Sequence, residues 1–388
     1  MDQSASPKLS IIANGRNIRL EHGTVSRFLH SRTGCVEWEV VTVTGVRRAI
    51  QYPELTPDVQ MGDAVLLNIT ASELSLGTGG VDFIVACVSA AERAARPAGR
   101  QEDREAGHLL RLRYTPLQHR VFCVDDPASP HYEAMRSAVE LHGTPVVCTE
   151  LHSQAAAVLL ELRRRLPGQA LAYVQLDSAA LPLPFSRLMG LLREHGVVSA
   201  TVSCGQGWGG DVEAVSLPSA LIATRAVLKA DAVVVSQGPG NMGGGTRFGF
   251  SGVSVVEALH TADALGGIPV YSPRVSDADP RPRHLGISHH TASILALLRV
   301  PVEVPCRAQD TAELEQLPVS RPHRYRGFSS RFSDEIPSLL APHLKSMGRS
   351  PSEDRALFDT AAAAAECAST YVSGFRSEPD ADPPGANS

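Results

Sequence analysis

The first 90 residues alternate short apolar runs with turn-like sequences. Five runs rich in β-branched and aromatic residues lie between residues 18 and 90: GTVSRFL, CVEWEVVTV, VRRAIQY, AVLLNIT and FIVACV. Each has the length and composition of a strand, and a series of such strands in one short segment predicts a small all-β barrel or sandwich domain. Residues 1–17 are expected to be disordered. The charged residues 91–107, which lack aromatic side chains, are expected to form a linker.

From residue 108 the pattern changes, and apolar strands alternate with amphipathic helices. The apolar runs are HRVFCV, TPVVCT, ALAYVQL, VVSATVSC, DAVVVS and IPVYS, and helical segments such as SQAAAVLLELRRRL lie between them. This alternation predicts an α/β ligand-binding domain over residues 108–325, built on a doubly wound, mostly parallel, Rossmann-like sheet. Residues 326–388 are expected to be a C-terminal extension, partly helical and then disordered.

Composition restricts the class of protein. The 388 residues are 43% hydrophobic and 20% charged, with a net charge of −5, which fits a globular protein and gives no general attraction to nucleic acid. No apolar run approaches the roughly 20 residues of a membrane helix, and the N-terminus lacks a signal-peptide pattern. The seven cysteines are scattered without a C-x-x-C pair, which favours reduced thiols. We therefore predict a soluble, cytoplasmic protein without nucleic-acid or membrane partners, and homo-oligomerisation stays open.

A glycine-rich loop, residues 236–252, follows the predicted strand DAVVVS and precedes a predicted helix that begins near Val253. Backbone amides at such a turn, together with the helix dipole, favour a phosphate or carboxylate. The glycine spacing matches neither the dinucleotide motif nor the P-loop, so no cofactor is identified. The loop predicts a site for a small anionic ligand, or else a tight turn whose glycines only permit packing. The predicted ligand-binding residues of the loop are Gly238, Gly240, Asn241, Gly243, Gly245, Thr246, Arg247 and Ser251.

Further polar residues follow other predicted strands, at the sheet edge where ligands bind in open parallel sheets. The segment SPRVSDADPRPRHLGISHH ends in two adjacent histidines, and His289 or His290 is a candidate general acid or base. Arg281 in the same segment is a candidate anion ligand. Asp177 and Asp211, which follow two other strands, complete the predicted catalytic set.

Two other interpretations of the adjacent histidines stay open. Ser288 is a candidate helix N-cap, and the histidines are then ordinary polar residues of the first helical turn. Adjacent histidines also ligate metals, but their side chains diverge, so a metal needs further ligands, for which His152, Asp177 and Asp211 are the candidates. The sequence alone assigns no metal-binding residue.

Two further segments carry weaker signals. In CGQGWGGD, Gln206 is a candidate ligand contact, and Trp208 either stacks on a planar ligand or covers the core. Cys204 is either a nucleophile or, more commonly, a buried structural cysteine. In the N-terminal domain, Thr78 and Gly79 belong to a second cluster of small residues, which is either a plain loop or a loop that closes the ligand pocket.

Five strings in the sequence are long and distinctive: RYTPLQ, LNITASELSLGTGG, GGDVEAV, GPGNMGGGTRFGFSG and ADPRPRHLGISHH. They resemble a bacterial family that is catalogued only as a domain of unknown function. The resemblance covers residues 18–310 and so includes both predicted domains. It implies no activity, but it implies that these loops are the hallmark of the family.

The function that these residues favour is that of an enzyme. A hydrolase or transferase acting on a small phosphorylated or carboxylated substrate fits the glycine-rich loop and the polar residues around it. Hydride transfer is disfavoured because the dinucleotide fingerprint is absent. A non-catalytic nucleotide or metabolite sensor and an assembly or scaffold protein are the alternatives, because a doubly wound sheet hosts many functions.

Overall fold

The computed structural model describes residues 18–56, 59–75, 80–89, 107 and 109–374, without the side chains of the last two. These residues divide into two compact units. Residues up to 89 together with 112–120 belong to the first, and residues 107, 109–111 and 121–374 belong to the second. The predicted disordered ends, nearly all of the predicted linker, and Thr78 and Gly79 lie outside the described residues.

The first unit is a closed five-stranded barrel with the strand order β1-β2-β3-β5-β4. Its elements are β1 (Leu20–Arg32), β2 (Cys35–Thr42), β3 (Gly45–Gln51), β4 (Ala64–Asn68), the short helix α1 (Thr70–Glu73) and β5 (Asp82–Cys87). Inward-facing side chains such as Val40, Val65 and Leu67 are fully buried and form its core. The barrel predicted from the five apolar runs is therefore confirmed.

The remaining strands are the short pair β6 and β7, the short pair β14 and β15, and the strands of a large sheet. They are β6 (Leu109–Arg111), β7 (His119–Val121), β8 (Pro145–Thr149), β9 (Leu171–Leu176), β10 (Ala200–Cys204), β11 (Val212–Ala214), β12 (Ala232–Gln237), β13 (Ile268–Ser272), β14 (Val275–Ser276), β15 (Gly286–Ile287), β16 (Glu303–Arg307) and β17 (Arg324–Phe328). The helices between and after them are α2 (Tyr132–Ser137), α3 (His152–Arg165), α4 (Arg187–Glu194), α5 (Leu217–Ala226), α6 (Val255–Ala264), α7 (His289–Leu297), α8 (Thr311–Glu315) and α9 (Arg355–Gly374).

Eight of these strands form one parallel sheet in the order β11-β10-β9-β12-β8-β13-β16-β17. The predicted α/β, Rossmann-like class is therefore confirmed. The place of one predicted strand is only partly correct. HRVFCV forms the short β7, which is not a strand of the large sheet, and a single parallel bridge joins its Cys123 to Glu213 of β11. Its Phe122 side chain is exposed, whereas a strand inside a parallel sheet is buried on both faces.

Helices cover both faces of the large sheet because successive strand residues point to opposite sides. On β8, Val147 packs in a core with α3, α4 and α9. Its neighbours Val146 and Cys148 pack in the opposite core with α5, α6, α7 and α8. All five residues of β8 are buried. The apolar character of this strand on both faces is thus explained by two helical layers.

The chain beyond residue 325 contributes to the second unit. The edge strand β17 spans that position, and α9 buries the alanine run from Ala361 to Ala365 against the sheet. Small alanine side chains let the helix approach closely, and Phe358 at its start is fully buried. Among the described residues, no helix is long and apolar enough to cross a lipid bilayer.

Candidate functional site

The candidate site lies at the carboxyl ends of three neighbouring strands, β12, β8 and β13. From β8 the chain moves to β9, β10 and β11, returns at β12, and continues at β13 on the other side of β8. Ligands in open parallel sheets bind where the strand order reverses in this way. Glu150 follows β8, residues 238–252 follow β12, and Arg274 follows β13.

The 238–252 loop folds back on itself. Gly243 and Phe250 pair as an antiparallel bridge, and the Asn241 Oδ1 atom accepts hydrogen bonds from Ser251 Oγ at 3.0 Å and from the Gly252 amide at 3.2 Å. A short 3₁₀ turn then leads into α6, which begins at Val255. The Gly252 amide, one of the groups expected to face an anion at the helix N-terminus, therefore donates to Asn241.

A buried carboxylate connects the ends of β8 and β13 with the first turn of α7. The Glu150 Oε1 atom accepts hydrogen bonds from Arg274 Nη1 at 2.8 Å and from His290 Nδ1 at 2.9 Å. Arg274 also lies 3.5 Å from the Asp279 carboxylate, and Arg281 forms an ion pair with the same carboxylate at 2.8 Å. The side chains of Glu150 and Asp279 have no exposed surface.

The partners of these two carboxylates keep them ionised. Burial by itself raises the pKa of Glu150, but the hydrogen bonds from His290 and Arg274 and the Arg274 charge outweigh it, so the pKa is lower than the usual value. The pKa of Asp279 lies well below its usual value, mainly because Arg281 donates hydrogen bonds to it. The network therefore carries two fixed negative charges.

Three histidine side chains meet beside this network. His284 ends a 3₁₀ turn, and His289 and His290 occupy the first turn of α7. The ring centroids of the three pairs are 4.9, 4.8 and 4.4 Å apart. We call His284, His289 and His290 the histidine cluster. Burial, followed by the charges of Arg274 and Arg281, lowers the pKa of His284 to about 3, and burial lowers that of His289.

The histidine cluster and the folded loop enclose a pocket of about 130 Å³. The pocket is lined by the cluster together with residues of the 238–252 loop, of the segment between β13 and α7, and of the chain beyond β17. We call it the His–Arg pocket, and these other lining residues include Asn241, Gly243, Gly245, Arg274, Arg281, Arg283 and Met347.

The family comparison covers this region of the chain. A family model described as "Protein of unknown function (DUF3866)" matches residues 48–365. The chain belongs to this family. A comparison with curated proteins found no match. The DUF3866 match includes the whole His–Arg pocket. It begins at residue 48 instead of the expected residue 18, and it extends past the expected limit at residue 310 into α9.

In this DUF3866 member, six of the predicted site residues line the His–Arg pocket: Asn241, Gly243, Gly245, Arg281, His289 and His290. The other predicted loop residues lie outside its lining. Arg247 is exposed and lies over the Phe248 ring at 5.1 Å. Thr246 is also exposed, and the Ser251 hydroxyl is used in the turn with Asn241. Gly240 has a positive φ of 94°, which favours glycine at that turn.

Close packing explains why residue 238 of the loop is a glycine. A Cβ atom at this position would collide with the carbonyl oxygen of Ala180. The backbone of the loop therefore passes directly against the segment that follows β9. At this position the glycine permits a close approach of two chain segments, which was the alternative interpretation of the loop.

The two predicted catalytic aspartates lie at other strand ends and have structural partners. The Asp211 carboxylate pairs with Arg193 at 2.9 Å and accepts a hydrogen bond from the Thr201 amide at 2.8 Å. The Asp177 carboxylate accepts a hydrogen bond from the Gln206 amide at 2.9 Å. None of these residues lines the His–Arg pocket. Their catalytic or ligand-binding role stays a prediction without support from this geometry.

The weaker candidates do not line the pocket. Burial raises the pKa of Cys204 to about 12, which keeps its thiol protonated and disfavours a nucleophilic role. Trp208 is buried. His152, a candidate third metal ligand, contacts Ser186 Oγ at 2.7 Å and Tyr173 Oη at 3.3 Å instead.

The sequence analysis missed Glu150 and Arg274. Each is the first charged residue after the carboxyl end of a central strand, Glu150 after β8 and Arg274 after β13. That position is a usable signal, because side chains at the ends of neighbouring parallel strands lie together. To use this signal, one must also know the strand order, because it decides which strand ends are neighbours.

Proposed function

We propose that the chain is an enzyme of the hydrolase or transferase class that binds an anionic group of a small substrate in the His–Arg pocket. The observation that carries this proposal is that one small pocket holds a histidine cluster and an arginine, Arg283, that has no acidic partner among the described residues. The pocket lies at the carboxyl ends of the central strands, where this class of sheet binds ligands.

Charge in the pocket favours an anion. Arg274 faces the carboxylates of Glu150 and Asp279, and Arg281 pairs with Asp279. Arg283 is exposed and, among the described residues, has no carboxylate within ion-pair distance. A phosphate or carboxylate group supplies the missing negative charge, and a guanidinium group binds either one in two places.

Pocket size limits what enters. A volume of about 130 Å³ is well below the roughly 300–1,000 Å³ of pockets that enclose a drug-sized ligand. The pocket therefore fits a single phosphate- or carboxylate-sized group, and the rest of the substrate lies outside it. We infer a small phosphorylated or carboxylated molecule as the substrate class.

A polar atom without a partner favours an enzyme over a sensor or scaffold. The His289 Nε2 atom is buried and has no hydrogen-bond partner among the described residues. Such a group costs about 1–3 kcal/mol of stability, and a catalytic role is one reason for a protein to retain it. A protein that only binds an anion needs the arginine charge but not this imidazole.

Arg283 provides the test of the proposal. Chelator-treated protein is titrated with inorganic phosphate, with the melting temperature as readout. Phosphate release from a panel of small phosphate monoesters is then measured with protein that has not been treated with chelator. We expect phosphate to stabilise the wild type and turnover to occur on one or more esters. Arg283→Ala should lose both responses because it removes the unpaired cation.

Arg247→Ala is the matched control. Arg247 is an exposed arginine of the 238–252 loop that does not line the pocket, so this variant should respond to phosphate like the wild type. Equal phosphate responses in Arg283→Ala and the wild type would contradict the proposed anion site. Stabilisation by phosphate with no turnover of any ester would favour a sensor.

A further inference from the structure

The histidine cluster brings three imidazoles together from two elements. Each of the three residues offers a ring nitrogen, and these nitrogens all lie within 4.8 Å of one another. His289 and His290 are adjacent on α7, and His284 at the end of the preceding 3₁₀ turn completes the set. The third imidazole thus comes from a residue five positions earlier, and not from the candidates His152, Asp177 or Asp211.

Hydrogen bonds on the outer side of the cluster set the tautomers of two rings. His290 Nδ1 lies 2.9 Å from the ionised Glu150 carboxylate, which can only accept, and 3.4 Å from Arg274 Nη1, which can only donate. The shorter contact assigns the proton to Nδ1. His284 Nδ1 lies 2.8 Å from Ser288 Oγ, and its Nε2 receives a 3.4 Å contact from Arg283 Nε, which can only donate. In the neutral form both rings then have the lone pair on Nε2, as metal-binding histidines do when a carboxylate or hydroxyl holds the other nitrogen.

One ring of the cluster is held in place by stacking, and a nitrogen of another ring has no hydrogen-bond partner among the described residues. The His290 ring stacks on Phe250 with centroids 3.6 Å apart and planes 3° from parallel. The His289 Nε2 atom is buried with no hydrogen-bond partner among the described residues. A nitrogen donor without a partner, next to two others with oriented lone pairs, is what a cation site requires.

We propose that His284, His289 and His290 form a binding site for one divalent transition-metal ion of the zinc type, with coordination positions left open toward the His–Arg pocket. The inference deepens the proposed function, because it rests on that pocket being the reactive centre. The predicted role of His289 or His290 as a general acid or base is replaced here by metal ligation.

The geometry needs only a small contraction. Zinc–nitrogen distances of about 2.0–2.1 Å place tetrahedral ligand atoms about 3.4 Å apart, compared with the upper limit of 4.8 Å in the cluster. His289 is partly exposed and its Nε2 is unpartnered, so its ring is the one that moves inward. Arg283 is an exposed side chain, and it leaves His284 Nε2 when the ion binds.

The charges around the cluster are compatible with a cation that recruits an anion. Glu150 and Asp279 offset Arg274 and Arg281. Arg349 bridges Asp279 and Asp354 at 3.3 and 3.0 Å. A bound divalent ion adds positive charge to that of Arg283, and an anionic group entering the pocket neutralises both. Three-histidine sites with open positions are typical of catalytic zinc, which polarises an oxygen of the substrate or a bound water.

The test is a calorimetric titration of chelator-treated full-length protein with Zn²⁺, repeated with Co²⁺ to record the visible absorption of the bound ion. We expect one ion per chain and a cobalt spectrum typical of nitrogen and oxygen ligands without a thiolate band. His289→Ala and His284→Ala should each weaken binding by at least about 100-fold, because removing a ligand costs more than the 10–100-fold of an outer partner.

His195→Ala is the control, because His195 is an exposed histidine outside the cluster, and it should bind Zn²⁺ like the wild type. His289→Ala keeps the test valid if His284→Ala does not fold, since the His289 Nε2 atom makes no hydrogen bond in the described residues. The proposal is overturned if the wild type binds no Zn²⁺, or if His289→Ala binds it as tightly as the wild type.

The phosphate titration separates this inference from the proposed function. Phosphate stabilisation that depends on Arg283 but occurs without any Zn²⁺ binding would overturn the metal site and keep the anion site. Zn²⁺ binding that depends on His289, with no phosphate response that depends on Arg283, would keep the metal site and overturn the anion site.

Discussion

At the scale of single residues, Glu150 holds the site together. Its carboxylate oxygen contacts Arg274 and His290, two residues that are 124 and 140 positions away in the chain. Arg274 has only 2% of its side chain exposed, so its charge depends on buried carboxylates. Removing one partner of a buried ion pair is costly because the remaining charge stays buried.

We therefore predict that Glu150→Gln lowers the free energy of unfolding by about 3 kcal/mol. The neutral amide keeps the shape of the side chain but leaves Arg274 with Asp279 as its remaining carboxylate at 3.5 Å. Urea unfolding followed by circular dichroism measures the change. Glu133→Gln, in an exposed ion pair with Arg136, is the control and should change the value by less than about 0.5 kcal/mol. Similar small losses in both variants would contradict the buried network.

At the scale of elements, α9 is the helix that sequence patterns indicated least well. The sequence analysis expected only a partly helical extension there and did not predict how the helix packs. In the fold the alanines are fully buried on the face of the sheet that α3 also covers. Phe358 is fully buried in the same core and contacts the Phe332 ring at a centroid distance of 5.4 Å.

Phe358→Ala should lower the free energy of unfolding by about 3–5 kcal/mol, the usual cost of deleting a buried aromatic side chain. Thermal or urea unfolding of the purified variant gives the value. Phe248 is 48% exposed, so Phe248→Ala should stay within about 0.5 kcal/mol of the wild type. A loss for Phe358→Ala no larger than for Phe248→Ala would mean that α9 does not pack on the sheet in solution.

At the scale of the whole molecule, stability should fall in mild acid. Burial lowers the pKa of His152 from 6.5 to about 4, and its contacts are the neutral hydroxyl groups of Ser186 and Tyr173. Between these two pH values the unfolded chain binds a proton that the folded chain does not. Unfolding is therefore favoured as the pH decreases from 6.5 toward 4, by at most about 3 kcal/mol from this residue.

His152→Gln isolates this contribution from those of other buried histidines. We expect the wild type to be more stable than the variant at about pH 7.5, and the difference to shrink at about pH 4.5. Urea unfolding of both proteins at the two pH values measures it. A difference that does not change with pH would show that His152 titrates normally in the folded protein.

Local patterns in the sequence were sufficient for most of the elements. The five apolar runs of the barrel and the strand–helix alternation after residue 108 reflect which side chains of one segment face a core, and that is a property of the segment itself. The Ser288 N-cap is equally local, and its hydroxyl accepts a hydrogen bond from the His290 amide. For the same reason, the loops after β12 and β13 could be named as candidate site segments before the strand order was known.

The composition of the site was decided only by the tertiary structure. The order β12-β8-β13 brings Glu150, the 238–252 loop and Arg274 to one place, and strand order depends on pairing between distant segments, which no single segment specifies. The same order leaves Asp177 and Asp211 at other strand ends, where they bind backbone amides. The sequence by itself therefore determined the elements and the types of reactive residue. The long-range pairing of parallel strands decided which of them meet, because side chains from distant strand ends become neighbours only when the sheet has formed.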